Sequence, residues 1–514
     1  MHRFGLMGMA LVGAWFGFAN PLLHFPPAIL LLPAALILAS LRATGFAHAF
    51  RNGFLTALPG YAASLYWLAI PVHDHGDLPW ALALPCPVLV GALLAAYAGL
   101  FCMGLRLIRT RIAHPLAMVA SGLLWASLEL VRNHFLTGFS WLTLAQALAP
   151  WPLTLGLAAW IGGFGLSALL VAVSHCLCAG RGWTRLAVLP LAALCLLPAL
   201  ARAPRIPVGT VSVSMIQGNI DQGVKWDEDM QSKILGTYLD LSFKAVADNA
   251  PDLVVWPETA MPFYFQDPSD LSTGARLGVA RMKTPVLAGA PAYSIPQGPD
   301  APQYVLHNRA YLLGAGGETL SWYDKKHLVP FGEYVPLGKW LPFITKLVPG
   351  QFEFRPGGDT PPLTSGPAAM GLLICYEAIF PELAQKQVER GANVLVNISN
   401  DAWFGRSSAP WQHLHLSVLR AVEQNRAIIR STNSGISAFI GPDGGMSATT
   451  PLYSAKIAHD PSIPLLTETT FYHEHFIFIH AAFPLLTCAL LWALGRKGRK
   501  NHPESRTPCC NIPN

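Results

Sequence analysis

The sequence predicts a polytopic α-helical membrane domain of about eight spans joined to an α/β domain outside the membrane, and three observations support this fold class. Charged residues make up 12% of the 514 residues, against roughly 25% in soluble proteins, while hydrophobic residues reach 52%. Residues 1–201 hold nine Arg or Lys and three Asp or Glu, whereas residues 202–475 hold 21 basic and 25 acidic residues. In the second region, helical patterns at about 226–248, 268–283, 381–390 and 411–425 lie between strand-like runs, which indicates a layered α/β domain. The strand-like runs are 209–216, 253–256, 285–290, 309–313, 369–375, 393–398 and 437–440.

Apolar segments long enough to cross a hydrocarbon core of ~30 Å occur seven times before residue 202 and once after residue 475. Residues 4–41 are too long for one crossing, and Asn20-Pro21 with Pro26-Pro27 divides them. The predicted spans are residues 4–19, 26–41, 53–72, 80–105, 114–131, 153–176, 183–201 and 476–494. The chain then divides into a membrane domain at 1–201, an extracytoplasmic domain at 202–475, a last transmembrane helix at 476–495 and a cytoplasmic basic tail at 496–514.

The Lys and Arg residues in the short loops predict the orientation, because basic residues are retained on the cytoplasmic side. With the N-terminus inside, the basic residues of the inside loops are Arg42, Arg51, Arg106, Arg109, Arg111, Arg181, Arg185 and those of the tail. Seven crossings then place residues 202–475 outside the cytoplasm and both termini inside. The net charge of +6 comes from basic residues that flank apolar segments, which favours lipid headgroups over nucleic acid as partners. A cleaved signal peptide is the alternative for the first segment, and it is disfavoured because no small-residue cleavage site follows.

One of the nine cysteines is set apart by its position. Cys375 is the only cysteine within residues 202–475, so it has no disulfide partner there despite an oxidising compartment. It ends the apolar run 371–374 and precedes a helix expected from Pro381, and a thiol that faces a helix N-terminus has a lowered pKa and forms a nucleophilic thiolate. The alternative is an inert cysteine at the end of a core strand.

Two further segments supply groups suited to activate this thiol. Glu258 ends the buried-looking run 252–257, and a carboxylate there is suited to take a proton from a thiol. Lys325 and Glu333 lie eight residues apart in a segment that contains Pro and Gly, and a lysine beside a thiol stabilises both the thiolate and a developing oxyanion. A glutamate at a strand end and a Lys-Lys pair also have common structural roles, so each segment alone is a weak signal.

The sequence predicts no metal site and no nucleotide cofactor. His413 and His415 are two residues apart on opposite sides of a predicted helix, which is poor spacing for metal ligands and favours packing or surface positions. No Gly-rich phosphate-binding loop is present in the printed sequence.

Taken together, the segments around Glu258, Lys325 and Cys375 resemble the Glu-Lys-Cys motifs of the nitrilase, or carbon–nitrogen hydrolase, superfamily, and within it the bacterial apolipoprotein N-acyltransferases. The matching segments of residues 202–475 are Val255-Trp-Pro-Glu-Thr, Tyr323-Asp-Lys-Lys-His-Leu-Val-Pro-Phe-Gly-Glu, Ile374-Cys-Tyr-Glu, Asn397-Ile-Ser-Asn-Asp-Ala-Trp-Phe-Gly, Gln217-Gly-Asn and Lys225-Trp. Glu129-Leu-Val-Arg and Thr137-Gly-Phe-Ser-Trp match in the membrane region, so the resemblance covers nearly the whole chain. It implies a nitrilase-like α-β-β-α sandwich at residues 202–475.

The resemblance also implies roles for individual residues. Cys375 would be the nucleophile, Glu258 the general base and acid, and Lys325 the oxyanion stabiliser. The supporting residues would be Glu333, Tyr376 and Glu377. Trp226, Trp403 and Phe404 would close over the site and exclude water, with ordinary packing as the alternative role of the two tryptophans.

The activity implied by the resemblance is acyl transfer at the outer face of a bacterial inner membrane, without a cofactor. A phospholipid, expected to be phosphatidylethanolamine, would acylate the cysteine. The acceptor would be the α-amino group of the N-terminal diacylglyceryl-cysteine of an apolipoprotein, in the final step of lipoprotein maturation. The alternatives are a membrane-tethered amidase or nitrilase and a non-catalytic transporter or receptor. A tether needs only one span, and a transporter would have more charges within its spans, so both are disfavoured.

Overall fold

The computed structural model describes residues 2–76, 78–112, 114–180, 182–200, 205–298, 303–335 and 354–500. The part before residue 201 is helical. Its helices are α1 (Arg3–Gly17), α2 (Leu31–Leu41), α3 (Phe46–Ser64), α4 (Ala69–Asp74), α5 (Trp80–Ala83), α6 (Pro85–Arg111), α7 (His114–His134), α8 (Ala158–Ala179) and α9 (Val188–Leu200). Short 3-10 helices join several of them, at Pro26–Leu30, Tyr66–Leu68, Leu144–Leu148, Pro152–Thr154 and Gly182–Ala187.

Helices lie at all eight places where the sequence predicts a span, but fewer have the dimensions of a complete crossing. Within the described ranges, the segments that are long and apolar enough by length and composition are Trp80–Arg111, Ala158–Ala179 and Phe476–Leu494. A fourth is added if Phe46–Ser64 and Tyr66–Asp74, which are bent by 59° to each other, form one span. The number of eight is therefore not confirmed. Residue 201, where the first domain is predicted to end, and residues 501–514 of the tail lie outside the described residues.

Small residues allow the helices of this region to pack closely, as expected where lipid supplies no hydrophobic driving force between helices. A Cβ added to Gly53 of α3 would lie 2.6 Å from the carbonyl oxygen of Ala98 in α6. A Cβ added to Gly91 of α6 would lie 2.9 Å from the backbone nitrogen of Ala62 in α3. The backbones of α3 and α6 are thus in contact at two levels, and a larger side chain at either glycine would push them apart.

The described part of residues 205–475 forms two six-stranded sheets and the helices that cover them. The strands are β1 (Gly209–Gln217), β2 (Leu253–Val255), β3 (Val286–Ser294), β4 (Val305–Leu313), β5 (Thr319–Asp324), β6 (Leu363–Ser365), β7 (Ala368–Ile374), β8 (Val394–Ser399), β9 (Ile428–Thr432), β10 (Ala438–Ile440), β11 (Met446–Ser447) and β12 (Lys456–Leu465). The helices are α10 (Glu228–Asn249), α11 (Asp270–Met282), α12 (Pro381–Glu389), α13 (Ala409–Gln424) and α14 (Phe471–Glu474), followed by α15 (Phe476–Lys500).

The two sheets pack face to face, with helices on their outer faces. Their strand orders are β12-β1-β2-β3-β4-β5 and β11-β10-β9-β8-β7-β6. Val255 of β2 shares a buried cluster with Leu372 of β7 and Val396 of β8, which places this core between the sheets. Tyr238 of α10 and Val279 of α11 pack on the outer face of the first sheet, and α12 and α13 cover the second. The layers follow the order helix, sheet, sheet, helix.

Helix α13 is attached to the membrane part through one buried glutamine. The side-chain oxygen of Gln412 accepts hydrogen bonds from the indole N–H groups of Trp67 and Trp141, at 3.0 and 2.8 Å. Its amide nitrogen donates to the carbonyl oxygens of Ala19 and Ser64, both at 3.1 Å. All five residues are buried. These contacts fix α13 against the ends of α1 and α3 and against the segment after α7.

A second attachment of α13 uses a break in α8. Gly162 has a φ of +70°, a conformation that favours glycine, and it interrupts the regular geometry of α8. The N–H of the next residue, Gly163, donates to Oε1 of Glu423 at 2.8 Å. Glu423 also forms an ion pair with Arg420, one turn earlier in α13, at 2.7 Å. The domain of the two sheets is therefore docked on the helices at two points along α13.

Candidate active site

Cys375 is positioned by the end of β7 and by a strained turn. Its φ of +52° lies in the left-handed region, which residues other than glycine adopt rarely. The turn leads from the strand directly into the 3-10 helix Cys375–Ile379. The N–H of Tyr376 belongs to the first turn of this helix, where N–H groups have no partner within the helix and can donate to an anion. The cysteine itself is only 9% exposed.

Glu258 is carried by a tight turn that follows β2. Trp256 still pairs with β3, since its N–H donates to the carbonyl oxygen of Leu287 at 2.8 Å. The turn then passes so close to β3 that a Cβ at Gly289 would lie 2.8 Å from the Cα of Glu258. Only glycine fits at that position of β3. Glu258 is 6% exposed, so its carboxylate is held at the buried end of the sheet.

Lys325 follows β5 and lies between two carboxylates. Its Nζ is 2.9 Å from Oε1 of Glu333 and 3.6 Å from Oε1 of Glu258, and the residue is 1% exposed. Burial disfavours the ammonium, but Glu333 and Glu258 outweigh burial and raise the pKa of Lys325 above its ordinary value. Lys325 therefore carries a positive charge at neutral pH. The other oxygen of Glu333 accepts from the N–H of Val329 at 2.8 Å, which fixes this carboxylate in place.

Asn308 of β4 bridges the same two carboxylates, and the sequence analysis does not identify it. Its Nδ2 is 2.7 Å from Oε1 of Glu258 and 3.0 Å from Oε1 of Glu333. No sequence motif marks this residue, because an Asn before a strand is a common feature. We call Glu258, Asn308, Lys325, Glu333 and Cys375 the Cys375 cluster.

The thiol of Cys375 is protonated at rest. Burial raises the pKa of the thiol to about 12, and the charge of Glu258 adds to the rise while Lys325 opposes it. The sequence predicts a lowered pKa from the facing helix N-terminus, and this prediction is wrong. The helix at the thiol is a 3-10 helix of five residues, whose dipole is weaker than the combined effects of desolvation and a nearby carboxylate.

The two residues after Cys375 anchor the turn that carries it. Glu377 is fully buried, and its carboxylate accepts hydrogen bonds from four fixed donors. These are the N–H groups of Ile374, Lys326 and His327 and the hydroxyl of Tyr323, at 2.7, 2.6, 3.0 and 3.0 Å. Glu377 thus ties the end of β7 to the segment of Lys325. The hydroxyl of Tyr376 donates to the carbonyl oxygen of Gly138 at 3.1 Å and so ties the turn to the segment after α7.

Two of the three aromatic residues assigned to water exclusion pack against the membrane part. The ring of Trp403 meets that of His75, after α4, edge-on at 4.6 Å. The ring of Phe404 meets that of Trp67, after α3, edge-on at 4.9 Å. In the structure, Trp403 and Phe404 therefore make packing contacts with the membrane part.

The third aromatic residue, Trp226, is 50% exposed. The preceding residue, Lys225, is 1% exposed and donates from its ammonium to the carbonyl oxygen of Glu258 at 3.3 Å. The segment that carries Trp226 is therefore attached directly beside the Cys375 cluster, with the indole facing outward.

A second buried polar group, which we call the Asp401 cluster, lies next to the backbone of Cys375 and consists of Asn397, Asp401, His413 and Arg430. Arg430 Nη2 is 2.8 Å from Oδ2 of Asp401. Burial opposes ionisation of Asp401, but Arg430 and His413 outweigh it and lower the pKa of Asp401 to about 2. In the described part of the chain, no group of three or more His, Cys, Asp or Glu side chains could hold a metal ion.

His413 contacts the backbone of Cys375 and not its thiol. Burial and the charge of Arg430 lower the pKa of His413, and Asp401 opposes this shift. Its Nε2 is 3.0 Å from the carbonyl oxygen of Cys375, and its Nδ1 is 3.1 Å from Oδ1 of Asp401 and from Nη2 of Arg430. Sequence analysis places His413 in a packing position but gives no sign of this contact.

Comparisons with known proteins agree with the two-part architecture. The family model described as apolipoprotein N-acyltransferase N-terminal domain matches residues 12–176, and the one described as carbon-nitrogen hydrolase matches residues 212–458. An apolipoprotein N-acyltransferase from Geobacter metallireducens is 37% identical over 442 residues, which are 83% of this chain and 83% of that protein. The chain belongs to the apolipoprotein N-acyltransferase family. A second member, from Pseudomonas aeruginosa, is 33% identical over 507 residues, which are 95% of this chain and 94% of that protein.

Among solved structures, a carbon-nitrogen hydrolase from Helicobacter pylori G27 aligns with a TM-score of 0.37 and 16% identity, over 54% of this chain and 94% of that one. Membership of the apolipoprotein N-acyltransferase family confirms the resemblance that the sequence motifs predict and makes this chain an acyltransferase. Glu258, Lys325 and Cys375 all fall within the region that matches the carbon-nitrogen hydrolase model.

Proposed function

We propose that this chain transfers a fatty acyl group from a membrane phospholipid, through a thioester on Cys375, to the amino terminus of an apolipoprotein. The expected donor is phosphatidylethanolamine, and the expected acceptor is the α-amino group of an N-terminal diacylglyceryl-cysteine. Family membership supports the overall reaction, since the relatives are named apolipoprotein N-acyltransferases. The observation that supports the chemistry is the ammonium of Lys325, held between Glu258 and Glu333 beside a buried thiol.

In the first half-reaction, Glu258 takes the proton of Cys375. The charge of Glu258 raises the thiol pKa, so its neutralisation removes the repulsion and Lys325 stabilises the thiolate. The sulfur attacks the ester carbonyl carbon, and Lys325 Nζ and the N–H of Tyr376 stabilise the tetrahedral oxyanion. Collapse of this species breaks the bond to the glycerol oxygen, which takes the proton from Glu258 as the lysophospholipid leaves.

In the second half-reaction, the amine of the acceptor attacks the thioester carbonyl. Glu258 accepts a proton from the amine, the carbon–sulfur bond breaks, and the proton returns to the sulfur as the amide leaves. Water must be kept from the thioester in the interval, and we assign this role to the segments of Trp226, Trp403 and Phe404. Glu333, Tyr376 and Glu377 hold the reacting groups in register.

We place the reaction on the periplasmic side of a bacterial inner membrane, with eight spans and both termini in the cytoplasm. The distribution of Lys and Arg supports this orientation. The proposed units are the membrane domain at 1–201, the catalytic domain at 202–475, the last span at 476–495 and the tail at 496–514. The docking of Gln412 on the helices supports a catalytic domain held against the bilayer, where two lipid-anchored substrates reach it by diffusion in two dimensions.

The nucleophile can be tested with full-length protein in detergent and phosphatidylethanolamine that carries an isotope-labelled acyl chain. Intact-protein mass spectrometry is expected to show one added acyl group that hydroxylamine removes. Cys375→Ala is expected to form no adduct, while Cys86→Ala, which removes a partly exposed thiol of the membrane part, is expected to retain it. An adduct that persists in Cys375→Ala would refute the assignment.

The acceptor can be tested by adding a diacylglyceryl lipopeptide with a free amino terminus to the labelled enzyme. Label is expected on the peptide amine. Label released as free fatty acid, at a rate that the peptide does not change, would favour a membrane-tethered hydrolase, and a wild-type chain that forms no adduct with any phospholipid would favour a non-catalytic protein. Replacing the donor with phosphatidylglycerol or phosphatidylcholine measures the headgroup preference.

A further inference from the structure

Asn308 is fixed beside Lys325 by the backbone as well as by its side chain. Its carbonyl oxygen accepts a hydrogen bond from the N–H of Lys325 at 2.8 Å, where β4 and β5 run side by side. Asn308 is 7% exposed, and its side-chain nitrogen is within 3.0 Å of one oxygen each of Glu258 and Glu333. Both neighbours are acceptors, so the nitrogen of the amide, and not its oxygen, faces them.

Two carboxylates so close together repel each other, and sites of this kind commonly retain one proton between the pair. Here Oε1 of Glu258 and Oε1 of Glu333 share the same two nitrogen atoms, Nζ of Lys325 and Nδ2 of Asn308. The lysine neutralises one negative charge. The amide adds a hydrogen bond to each carboxylate, and such bonds stabilise the ionised form. Lys325 and Asn308 together therefore offset the repulsion between the two carboxylates.

Asn308 makes the one hydrogen bond that the Glu258 carboxylate accepts from the described residues. Lys325 lies 3.6 Å from Oε1, beyond hydrogen-bond distance, so within the described residues Asn308 is the only hydrogen-bond donor to this carboxylate. The bond is made to Oε1, and in the proposed reaction Oε2 is the oxygen that takes the proton of Cys375. Asn308 thus orients the base as well as stabilising its charge.

The oxygen of the Asn308 amide indicates that this side chain stabilises the site through its N–H groups. Its Oδ1 is buried and has no hydrogen-bond partner among the described residues. A buried carbonyl without a partner costs free energy, which an apolar side chain of similar size would avoid. The two donated hydrogen bonds are therefore the interactions that compensate for this cost.

We propose that Asn308 is a positioning residue that keeps Glu258 ionised and oriented toward Cys375, and that it thereby sets the lower pH limit of acyl transfer. This inference rests on the proposed function, because it requires Glu258 to act as the base. Asn308 touches neither the sulfur nor a substrate in this arrangement, and it acts through the carboxylate alone.

The remaining titratable groups around the two carboxylates do not replace Asn308. The groups that act on Glu258 or Glu333 are Lys225, Lys325, His327 and Cys375. Lys225 contacts the backbone carbonyl of Glu258 and not its carboxylate. Burial lowers the pKa of His327 to about 4, so this ring is neutral in the working range, and Cys375 carries no charge at rest.

Asn308→Ala and Asn308→Asp distinguish an electrostatic role from a packing role. Asp has the size of Asn but replaces the two donors with a third carboxylate, whereas Ala removes the group and leaves a cavity. A packing role predicts that Asn308→Asp is the milder change, and the proposed role predicts that it is the more damaging one at neutral pH. Single-turnover rates of thioester formation, measured from pH 5 to pH 9, give the acid limb of the profile for each variant.

The acid limb is expected to move to higher pH by about one unit in Asn308→Ala and about two units in Asn308→Asp, because the ionised form of Glu258 loses a donor and then gains a repelling charge. Rates are expected to approach the wild-type value above the shifted limb. A structural defect would lower the rate by one factor at every pH. Asn308→Ser, which keeps one hydroxyl donor, is expected to fall between wild type and Asn308→Ala, and it serves if the alanine variant does not fold.

Asn393→Asp is the matched control, since Asn393 is equally buried and its side chain forms hydrogen bonds with the backbone of Pro367 and Ala369 at the start of β7. Its acid limb is expected to coincide with that of the wild type. Acid limbs of both Asn308 variants that coincide with the wild type, or a larger loss in Asn308→Ala than in Asn308→Asp at neutral pH, would overturn the inference. A wild-type protein that forms no thioester would instead overturn the proposed function.

Discussion

The Cys375 cluster and the Asp401 cluster lie on either side of the same turn and differ in how completely their carboxylates are paired. Asp401 accepts from Arg430 on one oxygen and from the hydroxyl of Ser399 on the other, both at 2.8 Å. Glu258 accepts one hydrogen bond, from Asn308, and its lysine stands 3.6 Å away. A carboxylate with both oxygens occupied by fixed donors supports structure, whereas one with a free oxygen is able to take a proton.

The two clusters also show that burial alone does not decide the charge state. Both Asp401 and the Cys375 thiol are enclosed, yet the pKa of Asp401 is lowered to about 2 and that of Cys375 is raised to about 12. Asp401 faces a guanidinium, and Cys375 faces a carboxylate as well as an ammonium. For Asp401 the charged partners outweigh burial, whereas for Cys375 burial is the largest cause and the charge of Glu258 adds to it.

The largest expected effect is the loss of thioester formation in Glu258→Gln, in the Cys375 cluster. Gln has the shape of Glu but cannot take the proton of Cys375, so single-turnover thioester formation is expected to fall by about 10³-fold, within the range for a lost general base. The midpoint of thermal unfolding is expected to stay unchanged. Glu389→Gln, on the exposed side of α12, is the control and is expected to retain the full rate. A Glu258→Gln protein that acylates at the wild-type rate would remove the distinction between the clusters.

Substitution in the Asp401 cluster is expected to lower the unfolding free energy of the protein. Asp401→Asn leaves the guanidinium of Arg430, which is 0% exposed, without its carboxylate, and breaking a buried ion pair in this way costs about 3–5 kcal/mol of unfolding free energy. Denaturant unfolding in detergent measures the loss. The rate of thioester formation per folded molecule is expected to fall far less than in Glu258→Gln.

Asp443→Asn, at an exposed turn, provides the control for Asp401→Asn and is expected to unfold as the wild type does. If Asp401→Asn were as stable as the wild type but catalytically inactive, the Asp401 cluster would be part of the chemistry and the comparison would fail.

The smallest expected effect is the change in unfolding free energy with pH that comes from the ionisation of Asp401. A carboxyl group whose pKa is lowered on folding stabilises the protein above its unfolded pKa, and this contribution is lost as the pH falls toward the folded value. For Asp401 the window runs from about pH 4 to about pH 2, and the shift corresponds to about 2 kcal/mol. Between pH 5 and pH 2, the unfolding free energy of the wild type is expected to fall by that much more than that of Asp401→Asn. Equal losses in both proteins would contradict the assignment.

The sequence predicts the candidate reactive residues and the central strands, because both leave local signals. β1, β2, β3, β4, β7, β8 and β10 lie where apolar runs predict them, and α10, α11, α12 and α13 follow helical patterns. β9 is not predicted, since Arg430 interrupts its apolar run and only the pairing with Asp401 makes burial of that charge tolerable. β12 is not predicted because Pro461 lies within it, at an edge of the sheet where proline is tolerated.

Contacts between segments that lie far apart in the sequence could not be predicted from it. The predicted fourth strand begins at Arg309, one residue after Asn308, so the bridging amide falls just outside it. The strand in fact begins at Val305, and its pairing with β5 brings Asn308 to Lys325. The thiol pKa is predicted in the wrong direction for a related reason, since the carboxylate that opposes ionisation comes from a segment more than one hundred residues earlier.

Gln412 and His413 are consecutive residues of α13, and their side chains reach to opposite sides of the interface. Gln412 is bound by the backbone at the ends of α1 and α3, and His413 is bound to the carbonyl oxygen of Cys375. Two neighbouring residues of α13 thus contact the helices of the membrane part on one side and the backbone of Cys375 on the other. In the proposed reaction, a rigid element and not a flexible tether therefore fixes the position of the sulfur, so the ester of the donor lipid has to move to meet it.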